Sequence, residues 1–465
     1  MSKSTVSQRT ARQNSADYQL MDAALKGLPA ILDTHRVERA LCEAYVGNGA
    51  VSVESAEIAY IRYKPATSCL AAYRATVRRG PSADEAANTV WFYVKAYHED
   101  AFADAVSKAT ARDRHERTGH WRALPLPDVN SVLYPIESDT ELKGLPTVFD
   151  ARKVVRVIHA ALREHPRDTW RISDRKLRLT VVRYKPEKRA VFRADTRLVN
   201  RESGDRRNLG IYIRVYSEAH DPRILELMRG LHRSVAASPD VRIAEPLLYD
   251  NDKRILMVRE ASGTPCSELL GQGDQGESLA QVARALAVFH RLDKVPADNR
   301  SAAEMLSIAT ATGRNLGRLV TELHDPIERI ASRLQALFGD LPAAPQGLVH
   351  GDLHPGQILL GEPSEPVTLL DFDRTCRGDS VFDIGNFIAH LHLASLQEKK
   401  IDVQTTAAKF QAAYESASGR TIDPRLRQFW VATALLQLAI SPFRVLRPNW
   451  RRECRAIVER CGELL

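Results

Sequence analysis

Two stretches of this chain repeat one pattern of apolar, basic and turn-forming positions. Ile61-Arg62-Tyr63-Lys64-Pro65 returns as Val182-Arg183-Tyr184-Lys185-Pro186. Each is followed by an apolar run closing on an aromatic-Arg-Ala triplet, Tyr73-Arg74-Ala75 in the first copy and Phe192-Arg193-Ala194 in the second. A polar connection then leads to a run of aromatic and β-branched residues, 91–97 in one copy and 211–216 in the other. Such residues, broken by Lys-Pro and by a polar loop, predict a β-hairpin and a returning third strand, made twice.

Between the copies, the polar segment 139–146 reads as a linker. Beyond it Asp150 is a plausible N-cap, and Val154, Val155, Ile158 and Leu162 share one face, so a helix opens the second unit. Further helices are predicted over 222–231, over 278–293 with Val282, Leu286 and Phe289 inward, over 302–338, and from Thr405 onward with breaks at Pro442 and Pro448. The strand 255–258 runs into Gly263 and Pro265, the form of a hinge between two lobes. The pattern divides the chain into a polar, disordered tail (1–17), a first sheet-bearing unit (18–145), a second one (146–260) and a mainly helical part (261–465).

Composition leaves this picture standing. With 465 residues, 44% hydrophobic and 27% charged, the chain is an ordinary globular protein of two or three domains. The longest apolar stretch, 431–440, contains Thr433 and Gln437 and is too short for a bilayer. The N-terminus has no apolar core of a signal peptide, and six cysteines are scattered without C-x-x-C spacing, so a cytoplasmic protein without disulfide framework or zinc site is expected. The net charge of +8 comes from arginines spread along the chain. A basic surface serving one anionic ligand in a cleft accounts for it more economically than a nucleic-acid-binding stripe.

Candidate chemistry concentrates in one region. His350-Gly351-Asp352-Leu353-His354-Pro355-Gly356-Gln357 precedes an apolar strand, and a second strand ends in Leu370-Asp371-Phe372-Asp373. Physically this is an acid on a tight loop, a carboxamide five positions later, and another acid at a strand end. Phosphoryl transfer uses that set: one carboxylate orients and deprotonates the attacking hydroxyl, while an amide oxygen and a carboxylate hold the Mg²⁺ on the nucleotide phosphates. Protein kinases space their H-R-D-x-x-x-x-N and D-F-G motifs in the same way. Here the carboxamide is Gln357, and Asp373 stands where D-F-G has glycine.

Residues 347–392 resemble the aminoglycoside phosphotransferase and choline kinase-like family, kinase-fold enzymes that phosphorylate small molecules. That family's pattern runs H-G-D-L-H-P-G-N-I-L, then I-D-F or I-D-L, then a D-x-x-x-D-I-G/A helix start, supplied here by Asp379-Ser380-Val381-Phe382-Asp383-Ile384-Gly385. The resemblance implies an α+β, protein kinase-like two-lobe fold with an antiparallel-sheet N-lobe and a helical C-lobe, preceded here by an extra N-lobe-like unit. It implies Asp352 as catalytic base, Gln357 and Asp371 as Mg²⁺ ligands, ATP as donor, and His350 and Asp383 as structural residues. Asp373 is a further metal or acceptor contact or else a surface acid, and His354 touches the metal shell or a phosphate or else packs the loop.

In the second copy the strand residue that would pin the phosphates is Arg214, where the family has Lys. The lysine survives in the first copy as Lys95, with no catalytic loop behind it, so that copy has a structural or lid role, the alternative being a second nucleotide site. The hairpin turn 185–189 has no glycine. Lys185, Lys188 or Arg189 supplies charge to the nucleotide there, or they are solvated hairpin cations. Backbone groups at Glu260 and Ala261 would meet the adenine. Glu226 is either an ion-pair partner of Arg214 or a surface residue, and His290 is a packed core histidine. The implied activity is ATP-dependent transfer of the γ-phosphate to a hydroxyl of a sugar, aminoglycoside or amino alcohol. The alternative is a kinase-fold nucleotide-binding protein with little or no turnover. With no dense acidic cluster in the C-terminal third, a neutral or anionic hydroxyl compound fits better than a polycation.

Overall fold

The computed structural model describes residues 22–47, 51–79, 87–115, 120–162, 169–173, 176–218, 223–272, 276–397 and 401–465. The tail read over 1–17 lies outside them, as do Pro222 and most of the first copy's polar connection.

Both copies fold as antiparallel meanders. In the first, β1 (Val51–Lys64), β2 (Ser68–Arg79) and β3 (Asn88–Tyr97) are extended by β4 (Leu124–Leu126) and β5 (Ser131–Pro135), in the order β1-β2-β3-β5-β4. In the second come β6 (Trp170–Ile172), β7 (Arg178–Lys185), β8 (Arg189–Asn200) and β9 (Arg206–Tyr216). After β10 (Val241–Ile243), which joins the other lobe, β11 (Pro246–Asp250) and β12 (Ile255–Arg259) complete the order β11-β12-β9-β8-β6, with β7 also paired to β8.

The Lys-Pro repeat makes the same turn twice. Pro65 and Pro186 are second in their turns, and the third residues, Ala66 and Glu187, have φ of 54° and 60°. Thr67 N–H donates to the Lys64 carbonyl and Lys188 N–H to that of Lys185, both at 3.1 Å. Proline followed by a positive φ is the type II pattern, which usually takes glycine in third place.

The two sheets bury one face against each other. Leu70, Trp91, Tyr93 and Tyr134 of the first share a core with Tyr184, Phe192, Ile211 and Ile213 of the second. The Tyr93 and Tyr184 rings meet nearly edge-on at 6.2 Å. The first sheet's other face packs on the helices Leu28–Leu32 and Thr34–Ala44, where the buried Tyr73 hydroxyl donates to the Ile31 carbonyl at 2.7 Å. Both faces covered explains the apolar runs of β2 and β3.

Segment 139–146 is not a free linker. Asp139 is buried and accepts from the Tyr184 hydroxyl and the Glu187 amide, each at 2.8 Å. Asp139 thereby serves the β7–β8 hairpin, while Thr140, Glu141, Lys143 and Pro146 stay exposed. Asp150 caps the helix Ala151–Ala161 through the Arg152 and Lys153 amides.

The second lobe is mainly helical. Two small sheets line its upper edge: β13 (Thr264–Pro265), β14 (Gln346–Val349), β15 (Ile358–Leu360), β16 (Val367–Leu369) and β17 (Cys376–Asp379) form β10-β16-β15-β13 and the pair β14-β17. The helix expected over 302–338 is two, Ala302–Leu319 and His324–Phe338. Pro326 is tolerated only in a first turn, so a new helix must start just before it. The C-terminal helices are Val403–Ser418, Pro424–Leu438 and Trp450–Glu463, with the short turn Ser441–Arg444 between the last two. The result is an α+β molecule of two lobes with a second sheet stacked on the first lobe. No helix among the described residues is long and apolar enough to cross a membrane.

Candidate active site

The H-G-D loop is tied down from below. The His350 amide donates to Asp383 Oδ2 at 2.6 Å, the Gly351 amide to Oδ1 at 2.9 Å, and His290 Nε2 to Oδ2 at 3.1 Å, with Asp383 fully buried at the start of the helix Val381–Leu396. His350 Nε2 donates to the Leu370 carbonyl at 2.8 Å, joining this loop to the Asp371 strand end. Gly351 has φ of 78°, and a Cβ there would lie 2.4 Å from the Arg374 carbonyl oxygen, so only glycine fits. These constraints leave Asp352 facing the cleft, 3.4 Å from Arg374 Nη1. Burial pushes its carboxyl up, but Arg374 and His354 outweigh that and hold it below its usual value. Asp352 is therefore ionised.

Opposite it, Asp371 sits at φ 64° just beyond β16. Arg189 holds it through two bonds, Nη1 to Oδ1 at 2.9 Å and Nη2 to Oδ2 at 3.2 Å. Arg214 Nη1 reaches Oδ1 at 3.1 Å, and Gln357 Nε2 reaches Oδ2 at 3.2 Å. Asp373 accepts from the Tyr216 hydroxyl at 3.0 Å, from Arg214 at 3.4 Å and from Arg189. Burial would raise Asp371, but Arg214 and Arg189 hold it far below the carboxylate range. One guanidinium nitrogen of Arg214 serves both acids, and the fork geometry of arginine suits that double duty.

Hard oxygen donors from Asp371, Asp373 and Gln357 thus converge, and in kind they fit Mg²⁺. Arg189 and Arg214 fill the space between the carboxylates, and the Gln357 amide must turn over to present its oxygen. No group of three or more His, Cys, Asp or Glu is arranged as a metal site among the described residues.

Two cavities meet at Arg189 and Asp371. The larger, about 490 Å³, has apolar walls including Val182, Val191, Met228, Val258, Leu359 and Phe372, with Glu260 and Ala261 at its hinge end and Arg183, Arg189, Arg214 and Gln357 at its polar end. The Glu260 amide donates to the Gly210 carbonyl at 3.0 Å and its carboxylate pairs with Arg193 at 2.9 Å. The smaller, about 280 Å³, is lined by Lys185, Lys188, Asp352, Asp373 and Arg374. Lys185 and Lys188 therefore line the Asp352 side and not the larger cleft.

Residues 189–430 match the Phosphotransferase enzyme family (APH). The chain belongs to that family. No curated protein matches this phosphotransferase significantly in a sequence search. Among solved structures it is similar to a choline/ethanolamine kinase family protein from Mesorhizobium loti, at 17% identity over 62% of this chain and 87% of that one, TM-score 0.42. It is also similar to the aminoglycoside phosphotransferase APH(3'')-Id from Streptomyces rimosus, at 17% identity over 56% and 92%, TM-score 0.38. A third likeness is to the macrolide 2'-phosphotransferase MphH from Brachybacterium faecium, at 16% identity over 63% and 95%, TM-score 0.39.

The remaining sequence candidates of the phosphotransferase divide by position. Glu226 is exposed on the helix Ile224–Ser234, while Arg214 pairs with Asp371 and Asp373. His354 stacks on His390 with centroids 4.6 Å apart and accepts from the Gly356 amide, and burial pushes it down to about 4, so it is neutral. His290 accepts from the Tyr414 hydroxyl and bonds Asp383. Sequence reasoning missed Arg374, Tyr216 and Arg444. Arg374 had a weak signal, following directly on the D-F-D triplet. Arg444 had none, because it approaches from a C-terminal turn far from the motif.

Proposed function

We propose that this phosphotransferase moves the γ-phosphoryl group of ATP to a hydroxyl of a small molecule. The observation that carries the reading is Asp352, ionised and facing the cleft on a loop that Asp383 holds rigid, with the Asp371, Asp373 and Gln357 oxygens across from it.

The adenine lies between the apolar walls of the larger cavity, near backbone groups of Glu260 and Ala261. Asp371 and Gln357 would hold Mg²⁺, with Asp373 beside them. When bound, the ion would supply charge neutralisation at the phosphates. Arg189 and Arg214 are the cations at the phosphate end. Asp352 orients the acceptor hydroxyl and takes its proton as the hydroxyl oxygen bonds to γ-phosphorus; the bond to the β–γ bridging oxygen breaks and its electron pair leaves with ADP. In a loose transition state that contribution is mostly positioning.

Asp352→Asn is expected to cut ADP release by about 10²- to 10⁴-fold, while a thermal-shift titration still shows Mg-ATP binding. One feature favours a second reading, a nucleotide-binding protein with little turnover: Arg189 and Arg214 already occupy the carboxylates that the metal needs. Nucleotide binding with ADP release unaltered by Asp352→Asn would establish that reading over the first.

A further inference from the structure

The cavity beside Asp352 holds two lysines that no acid pairs, because the acids lining it are engaged with arginines. Lys185 and Lys188 line it from the β7–β8 turn and Arg374 from the segment after Asp373. Arg444, on the turn Ser441–Arg444, is close enough to act on Lys188 and to be acted on by Arg374 and Asp352. Lys64, at the tip of the first copy's hairpin, also acts on Lys188. Among the described residues, the side chains of Lys64, Lys185, Lys188 and Arg444 have no hydrogen bond or ion pair to an acid. The acids nearby are engaged elsewhere: Asp371 and Asp373 by Arg189 and Arg214, Glu187 by Arg62 and Lys95, Asp352 by Arg374. Burial and mutual repulsion push Lys185 down to about 7, and Lys188 and Arg444 below their usual values. Such clustering is unfavourable unless an anion joins it.

The nucleotide does not account for the whole cluster. Its phosphate end, in the larger cavity, meets Arg183, Arg189 and Arg214, and the metal offsets part of its charge. Lys188 and Arg374 line the cavity where the hydroxyl must approach Asp352, and Arg444 and Lys64 add charge near Lys188 without lining it.

We propose that the acceptor carries an anionic group, a phosphate or a carboxylate, beside the hydroxyl that is phosphorylated. The volume of about 280 Å³ suits a compound of monosaccharide size. Lys188 takes the anion, with the charge of Arg444 beside it strengthening the hold, and the hydroxyl is thereby presented to Asp352. This rests on the reading of Asp352 as the residue that receives the hydroxyl, and binding separates the two ideas.

Four probes at constant ionic strength make the test: glucose 6-phosphate, gluconate, glucose and glucosamine. Each is titrated calorimetrically into the full chain with a non-hydrolysable ATP analogue and Mg²⁺ present, and each is assayed for ADP release with ATP. The expected result is binding of at least one anionic probe about tenfold tighter than glucose, with glucosamine weakest. Phosphate and carboxylate are distinguished by which of the two binds. Arg444→Gln should weaken that binding about tenfold with the analogue's own affinity and the melting temperature retained. Equal or tighter binding of glucose or glucosamine, binding of none of the four, or anion binding that vanishes once the analogue is bound would each overturn the proposal. Anion-selective binding without ADP release would instead count against phosphotransfer alone.

Discussion

Glu187 holds a backbone conformation that glycine would adopt without strain, and its side chain supplies the reason. Its carboxylate receives Lys95 Nζ at 2.6 Å and Arg62, with all three side chains largely buried, while Asp139 takes its amide. Ala66, at the matching place in the first turn, has the same positive φ and an exposed methyl group. A left-handed conformation costs a non-glycine residue about 1 kcal/mol. Ala66→Gly should therefore raise unfolding free energy by about that amount in urea denaturation. Glu187→Gly should lower it by about 2 kcal/mol, since two largely buried cations lose their partner. Stabilisation by both substitutions would show that the anchor contributes nothing. At this scale the acids Asp352 and Asp371 were legible because each sits in a spaced local motif. Arg374 and Arg444 were not, because arginines are frequent throughout this chain and neither belongs to a repeated pattern.

At the scale of elements, the β7–β8 hairpin covers the site and the first copy grips it. Lys95 lies on β3, at the position where the second copy has Arg214. The repeat alone showed the lysine and left its role open between structural and lid. In the folded chain it reaches the second copy's turn, and Arg62 adds a bond to the Pro186 carbonyl at 3.3 Å. Arg189, the first residue after that turn, depends on the hairpin's position to meet Asp371. Lys95→Met is thus predicted to speed amide exchange over 185–189 and to raise KM for ATP by about three- to tenfold, with kcat changed less. Unaltered exchange at the turn would refute the grip. The strands and their turns were readable from β-branched runs and Lys-Pro. The use of Asp139 as a buried hydrogen-bond acceptor was not, because a polar residue looks alike in sequence whether it meets water or buried donors.

For the molecule as a whole, buried acids set a pH dependence of stability. Burial pushes Asp379, beneath the Trp430 indole N–H that it accepts, up to about 6. Asp139 is raised to about 6 by the same cause. A folded-state value above the unfolded one means the native chain holds the proton more tightly, so the stability from each acid is full below about pH 4 and is lost as pH rises towards 6. His354, His390 and His392 are pushed down by burial and act oppositely, since the unfolded chain takes up protons as pH falls below about 6.5. Asp371, held low, loses its contribution only as pH falls below the ordinary carboxylate range. The isolating measurement is therefore a difference. Relative to Asp379→Asn, the wild type should be more stable at pH 4 than at pH 7 by on the order of 1–3 kcal/mol. A difference that does not vary with pH would remove Asp379 from this account.

By itself, the sequence determined which acids come to the cleft, the glycine that lets Asp352 turn into it, and the hairpin made twice with the same turn. Each of these is encoded within a few neighbouring positions, by spacing, by backbone conformation or by alternation. Only the tertiary structure decided that the two sheets stack on one core, that Lys95 serves the other copy's turn, and that two unpaired lysines of the β7–β8 turn share a cavity with Asp352. Those facts depend on which surfaces meet. Burial and ion pairing join residues far apart in the chain, and charge, unlike hydrophobicity in a strand or helix, leaves no periodic trace of the partner it will find.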